Sequence, residues 1–336
     1  MKVSVVIVAY RSGEMLGRCL DSLERDTSAD KEVIVIDNGP EGDEIEQARG
    51  RETVQVLGDG MNLGYAAGSN LGAREAQGEV LFFLNPDTVV EPGTLGALAR
   101  RLEDESIAIA MPRLRLLGEP DLLNSRGATI HLSGMAWSDG FRAPAASLDG
   151  PIDIPYANGS VLAIRRALFE ELGGFTEEYF IYLEDLELGW RARMRGLRIV
   201  LDPAGDVLHE YEHERNPTKN YFMERNRLVF VGTAYSLRML LVLAPVLFAA
   251  EAGLLLVSLR EGWMRDKVRG WGWIAGHAPW LLRHRRRLQR ERRVSDRDLA
   301  PNLTPVADPK MISVPAAVRG ANRLVAGYWS LARRLL

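Results

Sequence analysis

Asp87 is the first residue in the chain whose type and position could do chemistry. It ends the segment Val80-Leu-Phe-Phe-Leu-Asn-Pro-Asp87, in which Val80 to Leu84 is an unbroken apolar run. Such a run suits a strand buried on both faces of a parallel sheet. Pro86 cannot donate to a ladder, so the sheet stops there. Ligands of open α/β sheets bind beyond the carboxyl ends of the strands, which puts Asp87 where a metal-bound, phosphate-bearing ligand would sit. The same letters also make an ordinary polar turn. A second set of acids, Glu184, Asp185 and Glu187, opens a helix expected to start near Leu183, with Arg191, Arg193 and Arg195 near its end. That polarity complements a helix dipole, and a solvated helix face would show the same pattern. His209-Glu-Tyr-Glu-His213 matches a zinc-protease motif by letter. A protease needs both histidines one turn apart on a helix. Gly196, Gly205 and Pro217 leave little room for one, so the match reads as accidental.

The elements that must position these residues follow from the apolar pattern. Val3–Ala9, Glu32–Ile36, Thr53–Leu57, Val80–Leu84, Ile107–Met111, 158–165 and Leu197–Leu201 read as strands, with helices between most of them. This alternation predicts an α/β fold with a doubly wound sheet. Leu16, Leu20 and Leu23 mark the core face of the first helix, and Cys19 on that face reads as a small buried hydrophobe. Glycines at 64, 68 and 72 open another helix, where a backbone could approach a ligand closely and phosphate would be attracted. Packing of that helix on a strand explains the same glycines, and the spacing is not a dinucleotide fingerprint. Residues 112–155 read as an irregular insertion with hairpin character.

The single cysteine excludes an internal disulfide and fits a reducing compartment. The apolar N-terminus runs into a helix and carries no cleavage site, so no signal peptide is expected. Residues 1–225 hold 23 Lys and Arg against 38 Asp and Glu, a net −15, whereas residues 226–336 hold 19 against 7, a net +12. An acidic body with a basic tail implies a polyanionic surface as partner. Met239–Leu259 is long enough to span a bilayer, but Glu251 within it opposes insertion. Trp263, Trp271, Trp273 and Trp280 follow, then seven arginines between 283 and 293. An in-plane or re-entrant hairpin held by anionic headgroups fits better than a span or a nucleic-acid contact.

Four segments in order resemble the family 2 inverting glycosyltransferases, most closely the rhamnosyltransferase-like branch that acts on polyprenyl-linked glycans. They are Val3-Ser-Val-Val-Ile-Val-Ala-Tyr10, Asn62-Leu-Gly-Tyr-Ala-Ala-Gly-Ser-Asn70, Leu84-Asn-Pro-Asp87, and Gly173-Gly-Phe ahead of Tyr182-Leu-Glu-Asp-Leu-Glu-Leu. The resemblance covers roughly residues 2–225 and implies a GT-A domain there, a Rossmann-like, mostly parallel sheet with helices on both faces. Residues 226–336 would form a helical, basic, membrane-associated region. By the same resemblance Ala9 and Tyr10 line the nucleoside pocket, and Asp37 contacts base or ribose. Asn62 and Asn70 frame the sugar-nucleotide site together with Asn85 and Asp87. Asp87 corresponds to the last acid of an Asp-x-Asp metal motif whose first acid is here Asn85, and His209 would be an additional ligand for Mg²⁺ or Mn²⁺. Asp185 matches the catalytic base, with Glu184 in reserve. The implied reaction moves a sugar, rhamnose among the candidates, from a nucleotide-diphosphate donor to a glycan or polyprenyl-linked hydroxyl in cell-wall or surface polysaccharide synthesis. The implied place is the inner face of the cell membrane, with an anionic membrane surface and no nucleic acid as partner of the tail. A cation would offset charge on the leaving diphosphate, and one carboxylate suffices to take the acceptor proton. The alternative is a non-catalytic sugar-nucleotide-binding or membrane scaffold in which Asn85 marks a lost metal site.

Overall fold

The strands rich in Val, Ile, Leu and Phe stack side by side in one sheet because neither of their faces can be left in water. The computed structural model describes residues 1–39, 42–210, 218–310 and 316–336. The chain divides into two compact units: Met1–Ala128 with Ser138–Gly189 and Leu197–Glu212, and Thr129–Trp137 with Trp190–Gly196 and His213–Leu336.

In chain order the first part of the sequence forms β1 (Val3–Ala9), α1 (Glu14–Arg25), β2 (Lys31–Asp37), α2 (Asp43–Arg49), β3 (Val54–Leu57), α3 (Gly64–Glu75), β4 (Val80–Leu84), β5 (Thr88–Val90), α4 (Thr94–Arg101) and β6 (Ile107–Leu116). Then come β7 (Leu123–Ser125), β8 (Ala128–His131), β9 (Ala136–Ser138), β10 (Ile152–Asp153), β11 (Val161–Arg165), α5 (Arg166–Leu172), α6 (Glu184–Met194) and β12 (Arg198–His209).

The sheet of the first unit has the order β10-β12-β6-β11-β4-β1-β2-β3, with β5 on β12 and β7 on β6. β1, β2, β3, β4, β6 and β12 run one way; β11 and the short β5, β7 and β10 run against them. This is the mixed, mostly parallel sheet the sequence pattern predicts. Its reversed strand matters for the site. Because β11 enters between β4 and β6 from the opposite end, residues just before it meet the carboxyl end of β4: Val161 faces Leu84, and the Asn85 N–H donates to the Ser160 carbonyl at 2.9 Å.

Three expectations are corrected. β6 continues through Pro112 to Leu116, so the insertion begins later than residue 112. β12 does not stop at Leu201. It passes Pro203 and Gly205 as a bulge, with a register shift between Asp202 and Asp206, and carries on to His209. A bulge is where a strand admits these residues without losing its partner. The glycines of α3 serve packing: a Cβ on Gly72 would lie 2.5 Å from Val6 Cγ1, and one on Gly68 3.0 Å from Val8 Cγ1. The N-terminal amides of α3 are already taken. Leu63 N–H donates to Asn38 Oδ1 at 2.8 Å, Gly64 N–H to Asn62 Oδ1 at 2.9 Å, and Ala66 N–H to the Phe180 carbonyl at 3.1 Å. They are not left for phosphate.

The second unit holds the three-stranded sheet β13 (Leu303–Thr304), β8, β9 and the helices α7 (Lys219–Ala234), α8 (Leu237–Glu261), α9 (Met264–Gly276), α10 (Ala278–Glu291), α11 (Asp296–Leu299) and α12 (Ala316–Ala332). The expected boundary after residue 225 falls inside α7. Trp190, Phe230 and Tyr235 form an aromatic cluster with centroids 5.5 to 5.7 Å apart. Trp190 is therefore core. α8 starts at a Ser236 cap, whose Oγ accepts from Met239 N–H at 2.9 Å, and it accommodates Pro245. Its most apolar 18 residues have mean hydropathy 2.4 and are 11% buried, so by length and composition α8 could cross a membrane. Glu251, the acid in its middle, pairs with Arg227 at 2.6 Å and with the fully buried Lys267 at 2.7 Å.

Candidate active site

Asp185 sits in the first turn of α6, and the chain immediately before it is strained. Phe180, Tyr182 and Leu183 have φ of 64°, 69° and 67°. Left-handed backbone at bulky residues costs roughly 1–3 kcal/mol each and persists where the surroundings enforce it, most often at functional sites. The consequence here is placement. Asp185 Oδ2 accepts from the Gly159 N–H at 2.7 Å, and Oδ1 accepts from the Leu186 N–H at 2.7 Å. A Cβ on residue 159 would lie 3.0 Å from Oδ2, so glycine lets the amide come this close. The loop is itself braced: Asn158 Oδ1 accepts from both Ser160 N–H (3.0 Å) and Ser160 Oγ (2.8 Å), and Tyr65 donates its hydroxyl to the Gly159 carbonyl at 2.9 Å.

Burial pushes the Asp185 carboxyl up to about 6, against the two backbone hydrogen bonds that favour its charge. The neighbouring Glu184 is 4% exposed, and its Oε2 has no hydrogen-bond partner. Burial and the Asp185 charge hold its carboxyl well above the usual range. Two adjacent buried acids thus both have their carboxyls raised, Asp185 to about 6 and Glu184 in the same direction. The Tyr65 and Tyr156 hydroxyls, buried beside the same charges, are pushed up as well. The solvated-face alternative for α6 also fails: Glu187 and Arg191 are buried, and Thr176 Oγ1 donates to Glu187 Oε2 at 3.0 Å.

Asp87 stands two residues beyond the Asn85–Ser160 hydrogen bond, next to the loop that holds Asp185. Its Oδ1 is buried without a hydrogen-bond partner and lies 3.4 Å from His209 Nε2. The other ring nitrogen, Nδ1, is 3.2 Å from Asn124 Oδ1. A carboxylate oxygen beside an imidazole nitrogen is a partial donor set of the kind divalent ions take. Among the described residues no group of three or more His, Cys, Asp and Glu gathers as a full metal cage. The protease alternative finds no support at His209, which ends a strand; His213 and Pro217 lie outside the described residues. Cys19 is buried, its thiol pushed up to about 12, and it is inert as expected.

The remaining expected residues lie along the same sheet edge. Ala9 ends β1 opposite Asp37, the last residue of β2. Tyr10 is 43% exposed beyond it, and Arg49 Nη2 is 3.2 Å from Asp37 Oδ2. Asn62 Oδ1 lies 3.4 Å from Asn38 Nδ2. Asn70 departs from expectation. Its amide is buried and clamps a loop, donating to the Phe175 carbonyl at 2.9 Å and Glu177 Oε1 at 3.0 Å while accepting from Phe175 N–H at 2.9 Å. Tyr65, Asn124 and Gly159 were missed in the sequence. The strand expected over 158–165 begins only at Val161, which leaves Asn158-Gly-Ser160 as the loop before it.

The chain is 26% identical over 250 residues to the low-salt glycan biosynthesis hexosyltransferase Agl10 of Haloferax volcanii, covering 70% of this chain and 76% of that protein. It is 29% identical over 252 residues to N-acetylglucosaminyl-diphospho-decaprenol L-rhamnosyltransferase of Mycobacterium tuberculosis, covering 64% and 79%. The fold resembles the crystal structure of GalNAc-T7 with UDP, GalNAc and Mn²⁺, with a TM-score of 0.58 and 20% identity over 69% of this chain and 48% of that one. The family model described as glycosyl transferase family 2 matches residues 4–173, half of the chain, and the chain belongs to that family.

Proposed function

We propose that this glycosyltransferase transfers a sugar, with inversion, from a nucleoside-diphosphate donor to a hydroxyl of a glycan or polyprenyl-linked acceptor at an anionic membrane face inside the cell. The observation that carries the reading is the cradle of Asp185: a carboxylate poised near neutrality, held by a loop joined to the strand end that carries Asp87. Asp185 Oδ2 takes the proton of the attacking hydroxyl. Glu184, the adjacent buried acid, is the reserve base. Ala9, Tyr10 and Asp37 line the nucleoside end. Asp87 and His209 would hold Mg²⁺ or Mn²⁺, which when bound supplies positive charge against the departing diphosphate. The manganese in the solved GalNAc-T7 structure and the polyprenyl-linked substrate in the name of the mycobacterial relative support these choices for metal and acceptor. A rhamnosyl donor is the favoured sugar, on the same relative.

The test is nucleoside-diphosphate release from a panel of nucleotide sugars with a lipid-linked acceptor, in Mn²⁺, in Mg²⁺ and in EDTA. Release that needs both acceptor and metal is expected; no release with any donor contradicts the reading. Asn85 in place of a second acid favours one alternative, a sugar-nucleotide-binding scaffold. Such a protein would bind donor with the same affinity in EDTA and release nothing.

A further inference from the structure

The second unit contains a cavity of about 900 Å³ lined by Arg238, Arg297, Arg333 and Arg334 together with Trp329 and Leu303. We infer that it is a binding site for the phosphate of a membrane lipid. No acidic side chain lines it. Arg238, Arg333 and Arg334 make no ion pair or hydrogen bond among the described residues, and Arg297 has only a through-space attraction to the neighbouring Asp298, whereas Arg101, Arg113 and Arg227 elsewhere are each paired with carboxylates at contact distance. Four planar cations around one hollow concentrate positive potential, and guanidinium groups match phosphate oxygens in two-pronged fashion.

What selects a lipid over a free phosphate or a nucleic acid is the rim. Beside the lining residues in sequence, Leu237 and Leu241 flank Arg238, and Leu331 and Leu335 flank Arg333 and Arg334; all four are 61% exposed or more. The two helices that carry most of this rim are tied together, since Tyr328 of α12 donates its hydroxyl to the Val242 carbonyl of α8 at 2.5 Å. Charged groups beside water-exposed leucines suit a ligand whose phosphate sits on an apolar stem. By contrast, a smaller hollow of about 400 Å³ on α10 is lined by Arg283, Arg286, Arg287 and Arg290 with Glu291, and has no apolar wall. That face suits a diffuse attraction to anionic surface.

This site deepens the membrane part of the proposed function and is independent of the sugar chemistry. The test is calorimetric titration of the full chain with dihexanoyl phosphatidic acid below its micellar concentration, dihexanoyl phosphatidylcholine and inorganic phosphate. Wild-type protein should bind phosphatidic acid on the order of tenfold or more tighter than it binds either control, and Arg333→Gln/Arg334→Gln should lose at least that factor. Arg297→Gln, on a separate element, should weaken it too, and unchanged melting temperatures show that the variants fold. Equal affinity in wild type and both variants overturns the site. Equal affinity for inorganic phosphate and phosphatidic acid overturns the lipid assignment. Flotation on phosphatidylglycerol-containing vesicles reports separately on the membrane reading: wild-type protein that binds phosphatidic acid but stays at the bottom of the gradient keeps the cavity and contradicts membrane docking.

Discussion

At the scale of single residues, the site is a problem in where protons rest. Burial raises Asp185 to about 6, so it is ionised at pH 7.5 and protonated at pH 5. The proposed base therefore works above that value. kcat/KM should be flat from pH 7 to 8 and fall about tenfold per unit well below pH 6; a profile level down to pH 5 contradicts a base at this position. The sign for stability is the reverse. A carboxyl whose folded pKa is raised binds its proton more tightly in the native state, so this group favours folding at low pH and opposes it as pH climbs through about 6. Tyr65 tests the support of the base without touching it. Tyr65→Phe removes one hydrogen bond to the Gly159 carbonyl, worth about 1 kcal/mol. It should lower kcat several-fold and move the acid limb of the pH profile, with donor KM unchanged. An unaltered limb would make Tyr65 a packing residue only. Asp185 and Asp87 were legible because their motifs fix them to a helix start and a strand end. Gly159 and Asn124 were not, since a contact made by a backbone amide or a lone asparagine 85 residues from its histidine leaves no local pattern.

Among the elements, α3 and β12 show how local rules mislead. Glycines in α3 look like a phosphate loop, yet they buy closeness to β1. Gly72→Ala should destabilise by roughly 1–3 kcal/mol, the usual effect of overpacking, measured as a lower urea midpoint. Gly17 in α1 has open space around a would-be Cβ, so Gly17→Ala should stabilise by about 0.5–1 kcal/mol and raise the midpoint. Equal effects at the two sites would refute the packing account. In β12 the Pro203–Gly205 segment reads as an end in one dimension. In the sheet it is a bulge, anchored because Asp202 and Asp206 on either side pair with Arg101 at 2.6 Å and Arg113 at 2.5 Å. That bulge carries the strand on to His209 and so brings the histidine to Asp87. Similarly, the acid-then-base order of α6 could not reveal its burial, because Glu187 is satisfied by Thr176 from an earlier turn of chain.

For the molecule as a whole, the charge split read from the sequence has a physical counterpart in each unit. The first carries the acids Asp87, Glu184 and Asp185 of the candidate site; the second sets four arginines around a hollow near exposed leucines. Inside the second unit, Lys267 is wholly buried and balanced by Glu251 and Glu224, with Arg227 completing the group. Removing one member strands the others, so Lys267→Met should cost about 3 kcal/mol, and adding Glu251→Gln should recover part of it. Additive losses in urea unfolding would show that the pair is not coupled. Sequence alone cast Glu251 as an obstacle to membrane insertion; the structure gives it partners within the protein. The central claim, one ionised acid removing a proton beside a bound donor, is tested most directly by comparing Asp185→Asn with wild type for turnover and donor binding in parallel. The account predicts nucleoside-diphosphate release down by on the order of 10²–10⁴ with the donor dissociation constant within about twofold. Turnover at the wild-type rate in the variant would contradict it.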